Sequence, residues 1–314
     1  MPNRIGKVRL KNNLMLAPMH GVNCVAFRML CKKHGAGLVG TGMLHSDSIV
    51  IDKAKMDVIK QERPLSIQIV GKDPSKMADA ARMLEHRADI IDINFGCPDY
   101  KILEQKSGAF LMKHPEQIKR IASKVVGAVN CPVTAKIRIG WNDKTINAIE
   151  VSKMLEDAGV SAISIHGRTK KQAYTGKANW EMIRKTKEKV NIPIIGNGDI
   201  FTPKDYKNML EQTGVDFVMI GRGAMGNPHL FENCTRLIKG EKLIEKTPKL
   251  TYSLFKEFLR YYTNHSPHFT FSEIRKHAIW LAKGLDDGNK IKDRLMKTTS
   301  LEELKTVMKE VSSN

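Results

Sequence analysis

Residues 193–223 read PIIGNGDIFTPKDYKNMLEQTGVDFVMIGRG. An apolar run, Pro193–Asn197, is followed by Thr202-Pro203, a polar cap with a proline in the first turn of a helix. Gly214 is placed to end that helix, and a second apolar run begins at Phe217. A strand, a helix and a strand in this order predict one βα unit of a parallel sheet.

The same alternation extends upstream through the first three quarters of the chain. Further helices are predicted to start at Asp73-Pro74 and Pro115 and to end at Gly35 and Gly159. Between residues 43 and 63 the pattern is less regular, so we expect a short helix or a loop there. The predicted strands, each nearly uniformly apolar as in a sheet covered by helices, are Leu14–Pro18, Leu38–Gly42, Leu65–Val70, Asp89–Asn94, Val133–Ile139, Ala162–His166, Pro193–Asn197 and Phe217–Gly221.

Eight right-handed βα units should close into a barrel rather than remain an open, doubly wound sheet. After Lys239-Gly240 the strand-like runs stop, and Leu250–His265, Ser272–Gly284 and Leu301–Val311 have the pattern of amphipathic helices. The predicted fold class is therefore α/β: a (β/α)₈ TIM barrel followed by a small C-terminal all-helical domain. The predicted domains are residues 1–240 for the barrel and 241–314 for the helices. Barrels of about 250 residues are typical, so a length of 314 residues leaves room for such an appendage.

Composition excludes several classes of protein. The chain is 41% hydrophobic and 27% charged, and it lacks an apolar run of the roughly 20 residues that span a bilayer. The N-terminus, Met1-Pro2-Asn3-Arg4, has no long apolar stretch typical of a secretory signal, so we expect a cytoplasmic protein with no membrane role. The five cysteines contain no C-x-x-C pair, which argues against a disulfide framework or a zinc site, and we expect no metal; they are Cys24, Cys31, Cys97, Cys131 and Cys234.

The chain is strongly basic. It has 52 Lys and Arg against 33 Asp and Glu, a formal net charge of +19. Such an excess attracts a polyanion by counterion release, and nucleic acid is the natural partner. Only 14 of these basic residues, and 10 of the acidic ones, follow residue 240, so the excess lies mostly on the barrel. The alternative is that the charge only aids solubility.

Polar residues at the carboxyl ends of the predicted strands mark the site, because chemistry in this architecture is located there. The loops after strands seven and eight contain Asn197-Gly198-Asp199 and Gly221-Arg222. Glycine lets backbone N–H groups approach an anion closely, so these loops are predicted to bind a phosphate such as that of FMN. The alternative is that the glycines only make tight turns.

Two polar side chains within the strands favour a flavin. Lys136 lies in the middle of strand five, where a buried cation needs an anionic partner. A reduced flavin offers negative charge at its N1–C2=O region, although the lysine could instead extend to the mouth of the barrel. Gln68 in strand three offers both a donor and an acceptor for the polar edge of an isoalloxazine ring.

Cys97 follows strand four, between Gly96 and Pro98. A thiol with an ordinary pKa near 8.5 is mostly protonated at neutral pH and can donate a proton. A reaction that adds hydride to one carbon and a proton to the next would use a flavin and this thiol together. Reduction of a conjugated C=C bond is such a reaction.

Six motifs in this order resemble the tRNA-dihydrouridine synthases, in particular the bacterial B-type branch and its archaeal relatives. The resemblance includes Arg275-Lys276-His277 in the tail and spans essentially the whole chain. The motifs are Ala17-Pro18-Met19, Asn94-Phe95-Gly96-Cys97-Pro98, Ala135-Lys136-Ile137-Arg138, His166-Gly167-Arg168-Thr169, Asn197-Gly198-Asp199-Ile200 and Gly221-Arg222-Gly223.

The resemblance implies FMN as a tightly bound cofactor, NADPH as its reductant and a flipped-out uridine of folded tRNA as the substrate. It implies that reduced FMN gives hydride to uracil C6, that Cys97 gives a proton to C5, and that the helical tail binds tRNA. We expect a monomer. The remaining assignments are Pro18, Met19 and His20 lining the flavin; Gln68 and Lys136 at its polar edge; His166, Asn197, Gly198, Asp199, Gly221 and Arg222 at its ribityl phosphate; Asn94 in the substrate pocket; and Arg138, Arg168, Lys101 and Lys106 as candidate contacts of the RNA near the mouth.

Two departures from the family pattern bear on the substrate pocket: Asp99-Tyr100-Lys101 replaces a small residue and a basic pair, and Gly42 stands where relatives often have Glu. Two other functions remain open from the sequence. One is an FMN barrel enzyme acting on a free small molecule such as dihydroorotate or an enone; the tail and the basic excess argue against it. The other is a non-catalytic RNA-binding protein that keeps the barrel, against which Cys97 and Lys136 argue.

Overall fold

The computed structural model describes residues 3–54, 56–266 and 270–312, so Met1 and Pro2 of the N-terminal stretch lie outside it. Within these ranges a small hairpin, β1 (Arg4–Ile5) and β2 (Val8–Arg9), precedes the main sheet. The sheet consists of β3 (Leu14–Leu16), β4 (Leu38–Gly40), β5 (Leu44–His45), β6 (Leu65–Val70), β7 (Ile90–Asn94), β8 (Val133–Arg138), β9 (Ala162–His166), β10 (Ile194–Asn197) and β11 (Phe217–Ile220).

The sheet closes on itself. Strand β3 pairs in parallel with β4 on one side and with β11 on the other, and β6 through β11 follow in sequence order. Strand β4 pairs with β6, while the short β5 extends the same edge beyond β4. Strands β3, β4 and β6–β11 therefore form a parallel eight-stranded TIM barrel, which confirms the predicted fold class.

Helices surround the barrel and then continue as a helical tail. The predicted starts are confirmed, because the Asp73 carboxylate accepts from two N–H groups of the first turn and Thr202 forms a capping box with Asp205. Residues 43–54 and 56–63 contain the short strand β5, a five-residue helix and a short 3₁₀ turn, so the expectation of a short helix or a loop there is confirmed. The helices are α1 (Val25–Lys33), α2 (Ser46–Val50), α3 (Pro74–Leu84), α4 (Tyr100–Glu104), α5 (Pro115–Val126), α6 (Ala148–Asp157), α7 (Trp180–Lys187), α8 (Pro203–Thr213), α9 (His229–Lys239), α10 (Pro248–His265), α11 (Phe271–Ala282), α12 (Gly288–Lys297) and α13 (Leu301–Val311).

The two faces of the barrel strands differ in character. Outward side chains such as Ile91, Ile137 and Ile163 pack in the core beneath the helices. Inward side chains near the amino ends form a separate apolar cluster that includes Ile5 of the hairpin and Phe217. Beyond this apolar cluster most inward positions of β6–β9 are polar, so these strands are less uniformly apolar than predicted; the polar side chains are Ser66, Gln68, Asp92, Asn94, Thr134, Lys136, Ser164 and His166.

The tail packs on the barrel through α10, which lies against α1, and both helices contribute to one continuous apolar core. Helix α12 was not predicted, because only Leu295 of its side chains is buried. Arg275 donates to the carbonyl of Thr298 at 2.8 Å, just beyond α12, so this residue of the basic motif supports the tail internally. The boundary at residue 240 stays a prediction. None of the described helices is long and apolar enough to cross a membrane.

Candidate active site at the carboxyl end of the barrel

A cavity of about 640 Å³ opens where the barrel strands end. It is lined by the loops after the strands, as expected for this fold. The predicted residues that it brings together are Cys97, Pro18, Met19, His20, Gln68, Asn94, Lys136, Arg138, His166, Asn197, Gly198, Asp199, Gly221 and Arg222. Of the other candidates, Arg168 is buried behind the wall, and Lys101 and Lys106 are exposed outside the lining.

A chain of hydrogen bonds crosses the barrel interior below the cavity. Asp92 accepts from the Thr134 hydroxyl at 2.6 Å and from the Gln68 amide at 2.6 Å. Gln68 in turn accepts from the side chain of Asn94 at 2.7 Å. The register dictates this chain, since Gln68, Asp92 and Thr134 are direct neighbours on β6, β7 and β8. Each partner is satisfied, so the network fixes the orientation of Asn94.

Asn94 and Arg138 hold the loop that carries Cys97. The Asn94 Oδ1 accepts from the backbone N–H of Cys97 at 2.8 Å and of Gly96 at 3.0 Å. The Arg138 Nε donates to the Gly96 carbonyl at 2.8 Å. Burial raises the pKa of the Cys97 thiol, so it keeps its proton at neutral pH.

Lys136 places a cation at the floor of the cavity. Its Nζ donates to Asn197 Oδ1 at 3.3 Å, and no ion pair of Lys136 occurs within the described ranges. Burial, reinforced by the nearby Arg138, lowers the pKa of Lys136 to about 8. A partly desolvated ammonium group with only a neutral amide as partner is a ready position for an electron-rich ligand atom.

Asp199 organises the side of the cavity that follows β10 and β11. Its two oxygens lie 2.8 Å from two nitrogens of Arg168, and Oδ2 also accepts from the backbone of Ala178 at 2.7 Å. Burial alone would raise the pKa of Asp199, but the hydrogen bonds of Arg168 dominate and lower it. Gly198 and Asp199 both have positive φ, 121° and 56°, which directs this turn toward the cavity.

His166 is a neutral member of the wall. Burial and the surrounding cations, first Lys136 and then Arg138, depress the pKa of the His166 imidazole far below its ordinary value. The ring therefore offers one donor and one acceptor at neutral pH. A charge-neutral hydrogen-bonding group in the middle of several cations limits repulsion within the wall.

The rim contains aromatic residues that sequence analysis did not identify. The Arg222 guanidinium lies 4.6 Å from the ring of Tyr174 and 5.5 Å from the ring of Phe201. Both rings are about half exposed, at 54% and 47%. Lys170 lies at the same rim, with its Nζ 4.8 Å from the ring of Trp141. Lys170, Lys171 and Tyr174, in one stretch after β9, were the signal that could have revealed part of this surface, whereas Trp141 and Phe201 follow other strands.

The cavity fits a phosphorylated, planar aromatic cofactor. Its volume is within the roughly 300–1,000 Å³ of typical cofactor sites. Ala17, Pro18 and Met19 form an apolar wall suited to a ring face, and Lys136 offers a donor to a ring carbonyl. Gly221 has space beyond its Cα, because an added Cβ would meet no atom closer than 3.6 Å. The backbone there can approach an anion beside Arg222.

The closed barrel, with a cationic cavity at the carboxyl ends of its strands, has the architecture of a TIM-barrel enzyme. The fold is shared with histamine dehydrogenase from Rhizobium sp. 4-9, with a TM-score of 0.57, 14% identity and coverage of 82% of this chain and 50% of that one. It is also shared with the old yellow enzyme homologue from Zymomonas mobilis, with a TM-score of 0.55, 13% identity and coverage of 85% and 98%. At such identities the likeness concerns the fold alone.

The sequence comparisons give the family. The model of the family described as Dihydrouridine synthase (Dus) matches residues 15–314. The chain is 39% identical over 287 residues to tRNA-dihydrouridine synthase B of Escherichia coli, covering 88% of each chain. It is 42% identical over 250 residues to the protein of that name from Salmonella typhimurium, covering 78% of each. The chain belongs to the dihydrouridine synthase family, which confirms the predicted resemblance, and it is a flavin-dependent oxidoreductase.

Proposed function

We propose that this protein reduces the C5=C6 bond of specific uridines in tRNA to 5,6-dihydrouridine, with FMN as its cofactor and NADPH as the reductant. The observation that carries the proposal is the presence of a protonated thiol, Cys97, and a buried cation, Lys136, in one cavity of the barrel mouth. The names of the relatives, tRNA-dihydrouridine synthase B, supply the substrate class.

Cys97 acts as the general acid. Held by Lys136 and Gln68 at its polar edge, a reduced flavin would supply hydride chemistry at C6 of the uracil. Negative charge then builds at C5 and the C4 carbonyl, and the Cys97 thiol relieves it by giving its proton to C5. A well-placed general acid is worth typically 10²–10⁴-fold in rate. Its raised pKa keeps the donor form available, and the hydrogen bond from its N–H to Asn94 fixes the loop from which the sulfur extends.

The chain offers a distinct group to each part of FMN. Lys136 and the neighbouring Gln68 face the polar edge of the ring, while Pro18, Met19 and His20 line its apolar face. The Gln68 amide is shared with Asp92 and Asn94, so its contribution is to position the pocket as well as to contact the ring. The groups at the ribityl phosphate end are His166, Asn197, Gly198, Asp199, Gly221 and Arg222.

The tRNA must present a base out of its stack, which costs a few kcal/mol and favours loops of the folded RNA. The rim surface of Lys170, Lys171, Tyr174 and Phe201 is suited to the flanking nucleotides, since aromatic rings stack on bases and lysines contact phosphates. Lys101 and Lys106 are exposed near Cys97 and can add phosphate contacts. The helical tail, residues 241–314, is proposed to extend the same RNA surface of a monomeric, cytoplasmic protein.

The two buried arginines have different roles from these cations. Arg138 donates to the carbonyls of Gly96, Thr169 and Ala173, and Arg168 holds Asp199. Arg138 still reaches the cavity wall and can contact the substrate. Arg168 is buried and positions Asp199 in the loop after β10, so its proposed contribution to RNA binding is indirect.

The test is formation of dihydrouridine in vitro from unmodified tRNA, FMN and NADPH, and its loss from tRNA of cells lacking the protein. Replacement of Cys97 by Ala should preserve flavin binding and NADPH oxidation but reduce product formation by at least 10²-fold. Cys131→Ala, at another half-buried cysteine, is the matched control and should be fully active. Unchanged yield in Cys97→Ala would assign the proton to another donor, and reduction of free uracil or an enone in preference to tRNA would refute the substrate class.

A further inference from the structure

A second cluster of chemically capable side chains lies on the outside of the barrel, away from the cavity. His34 follows the last residue of α1, and His229 begins α9, with Glu232 one turn further along. The Nδ1 atoms of the two histidines are 3.1 Å apart, and His34 Nδ1 lies 3.4 Å from a carboxylate oxygen of Glu232. All three potential ligand atoms lie within 4.8 Å of one another.

We propose that His34, His229 and Glu232 form a binding site for a divalent transition-metal ion of the zinc type, with water as the fourth ligand. The sequence-based expectation of no metal rested on cysteine spacing and could not anticipate this site, because its histidines are 195 residues apart. Two imidazoles and one carboxylate around an open fourth position are an established ligand set for zinc.

The distances fit a tetrahedral ion. With metal–ligand bonds of about 2.0–2.1 Å, ligand atoms at neighbouring corners of a tetrahedron are roughly 3.3 Å apart. The two measured separations, 3.1 and 3.4 Å, lie on either side of that value. The third separation, between His229 and Glu232, also lies within 4.8 Å.

The surroundings also favour a metal. His229 is only 7% exposed and His34 12%, so both rings are largely shielded from bulk water. Arg236 donates to the Oε1 of Glu232 at 2.9 and 3.0 Å, which orients the carboxylate and leaves Oε2 toward the histidines.

Hydrogen bonding alone explains the close approach of the two histidines less well than a bound cation does. A neutral histidine has a single N–H, and among the described residues neither Nε2 atom has a hydrogen-bond partner. If both rings carry their proton on Nε2, the two Nδ1 lone pairs face each other at 3.1 Å, and a cation between them removes that repulsion. If one ring carries it on Nδ1, the cluster is a hydrogen-bonded histidine pair, which is the competing explanation.

A metal at this site would link helices α1 and α9, which lie beside the first and the last strand of the barrel. Helix α1 follows β3, α9 follows β11, and β3 pairs with β11. The ion would therefore stabilise the native fold, by an amount that grows with the logarithm of its free concentration.

The experiment is titration of the chelator-treated, FMN-loaded full-length protein with Zn²⁺ alone, followed by calorimetry and by the unfolding temperature. We expect one ion per chain with micromolar or tighter affinity, and a Tm that rises with Zn²⁺. Co²⁺ in its place should give the intense visible absorption of a tetrahedral site. Glu232→Gln and His34→Asn should weaken binding at least 10-fold, whereas the controls Glu245→Gln and His86→Asn, at exposed positions, should not.

The outcomes are distinct from those of the proposed catalytic function, because binding and Tm are measured without turnover. Absence of stoichiometric Zn²⁺ binding by the wild-type protein, or equal binding by Glu232→Gln, would overturn the metal site and leave the hydrogen-bonded histidine pair. Should a histidine variant fail to fold, anomalous scattering from a zinc-loaded crystal of the wild-type protein decides directly. Density between His34 and His229 supports the site, and its absence refutes it.

Discussion

The cation at the floor of the cavity makes flavin affinity depend on pH. In the free protein burial lowers the pKa of Lys136 to about 8, and a bound flavin carbonyl would favour the charged form and raise it. The charged form is the one that binds, so affinity should be constant below pH 8 and fall above it. With a pKa of 8, the apparent Kd for FMN at pH 9 should be about tenfold higher than at pH 7.

The loss of FMN affinity on deprotonation of Lys136 is limited. It cannot exceed the free energy of one charge-assisted hydrogen bond, about 1.5–3 kcal/mol or roughly 10–100-fold in Kd. Quenching of flavin fluorescence on titration of the apoprotein, from pH 7.0 to 9.5, measures the curve. Lys136→Met should bind more weakly at pH 7 by the same 10–100-fold and show no such slope. Lys101→Met, at an exposed lysine on α4, should retain both the affinity and the slope of the wild-type protein. A wild-type affinity that is flat across this range, or an equal slope in Lys136→Met, would refute the assignment of the cation to the ring edge.

Three further predictions concern other parts of the site. Asp199→Asn should destabilise the protein by roughly 2–3 kcal/mol, because it leaves the buried Arg168 without its partner, and should release FMN on dialysis; calorimetry and the flavin absorbance after gel filtration measure the two effects. The double variant Tyr174→Ala, Phe201→Ala should keep its flavin but raise KM for tRNA at least tenfold, with an unchanged KM speaking against the rim as an RNA surface. Affinity for unmodified tRNA should fall steeply between 50 and 200 mM salt, by about 10³-fold or more if six phosphates are contacted, and a salt-independent Kd would contradict the electrostatic account.

The sequence was sufficient to predict the barrel and much of the cavity. Each βα unit is a local pattern, and in a closed parallel barrel all strand ends meet on one face, so the order of residues such as Gln68, Cys97 and Lys136 already implies their convergence. Of the polar inward positions of β6–β9, Gln68, Asn94, Lys136 and His166 were identified from the sequence. Asp92 and Thr134 were not, because the buried strands of barrels are usually apolar on both faces.

Relations between distant segments could not be predicted in the same way. Arg168 pairs with Asp199 because of the backbone turn at Gly198 and Asp199. The burial of Arg168 followed only from the structure. Tyr174 and Phe201 belong to different loops and meet only around Arg222. Helix α12 has one buried side chain, Leu295, and was not predicted.

The joint core of barrel and tail has a practical consequence for anyone dissecting this protein. The His277 ring of α11 stacks on Phe258 of α10 at 4.5 Å and packs near Phe27 of α1 at 5.3 Å, with Phe258 itself fully buried. A fragment ending at residue 240 would expose the α1 side of this aromatic cluster to water and would be expected to aggregate. Loss of activity in such a truncation could therefore result from insolubility rather than from lost RNA recognition. Charge-reversal substitutions on the tail surface would test RNA recognition without removing the aromatic cluster.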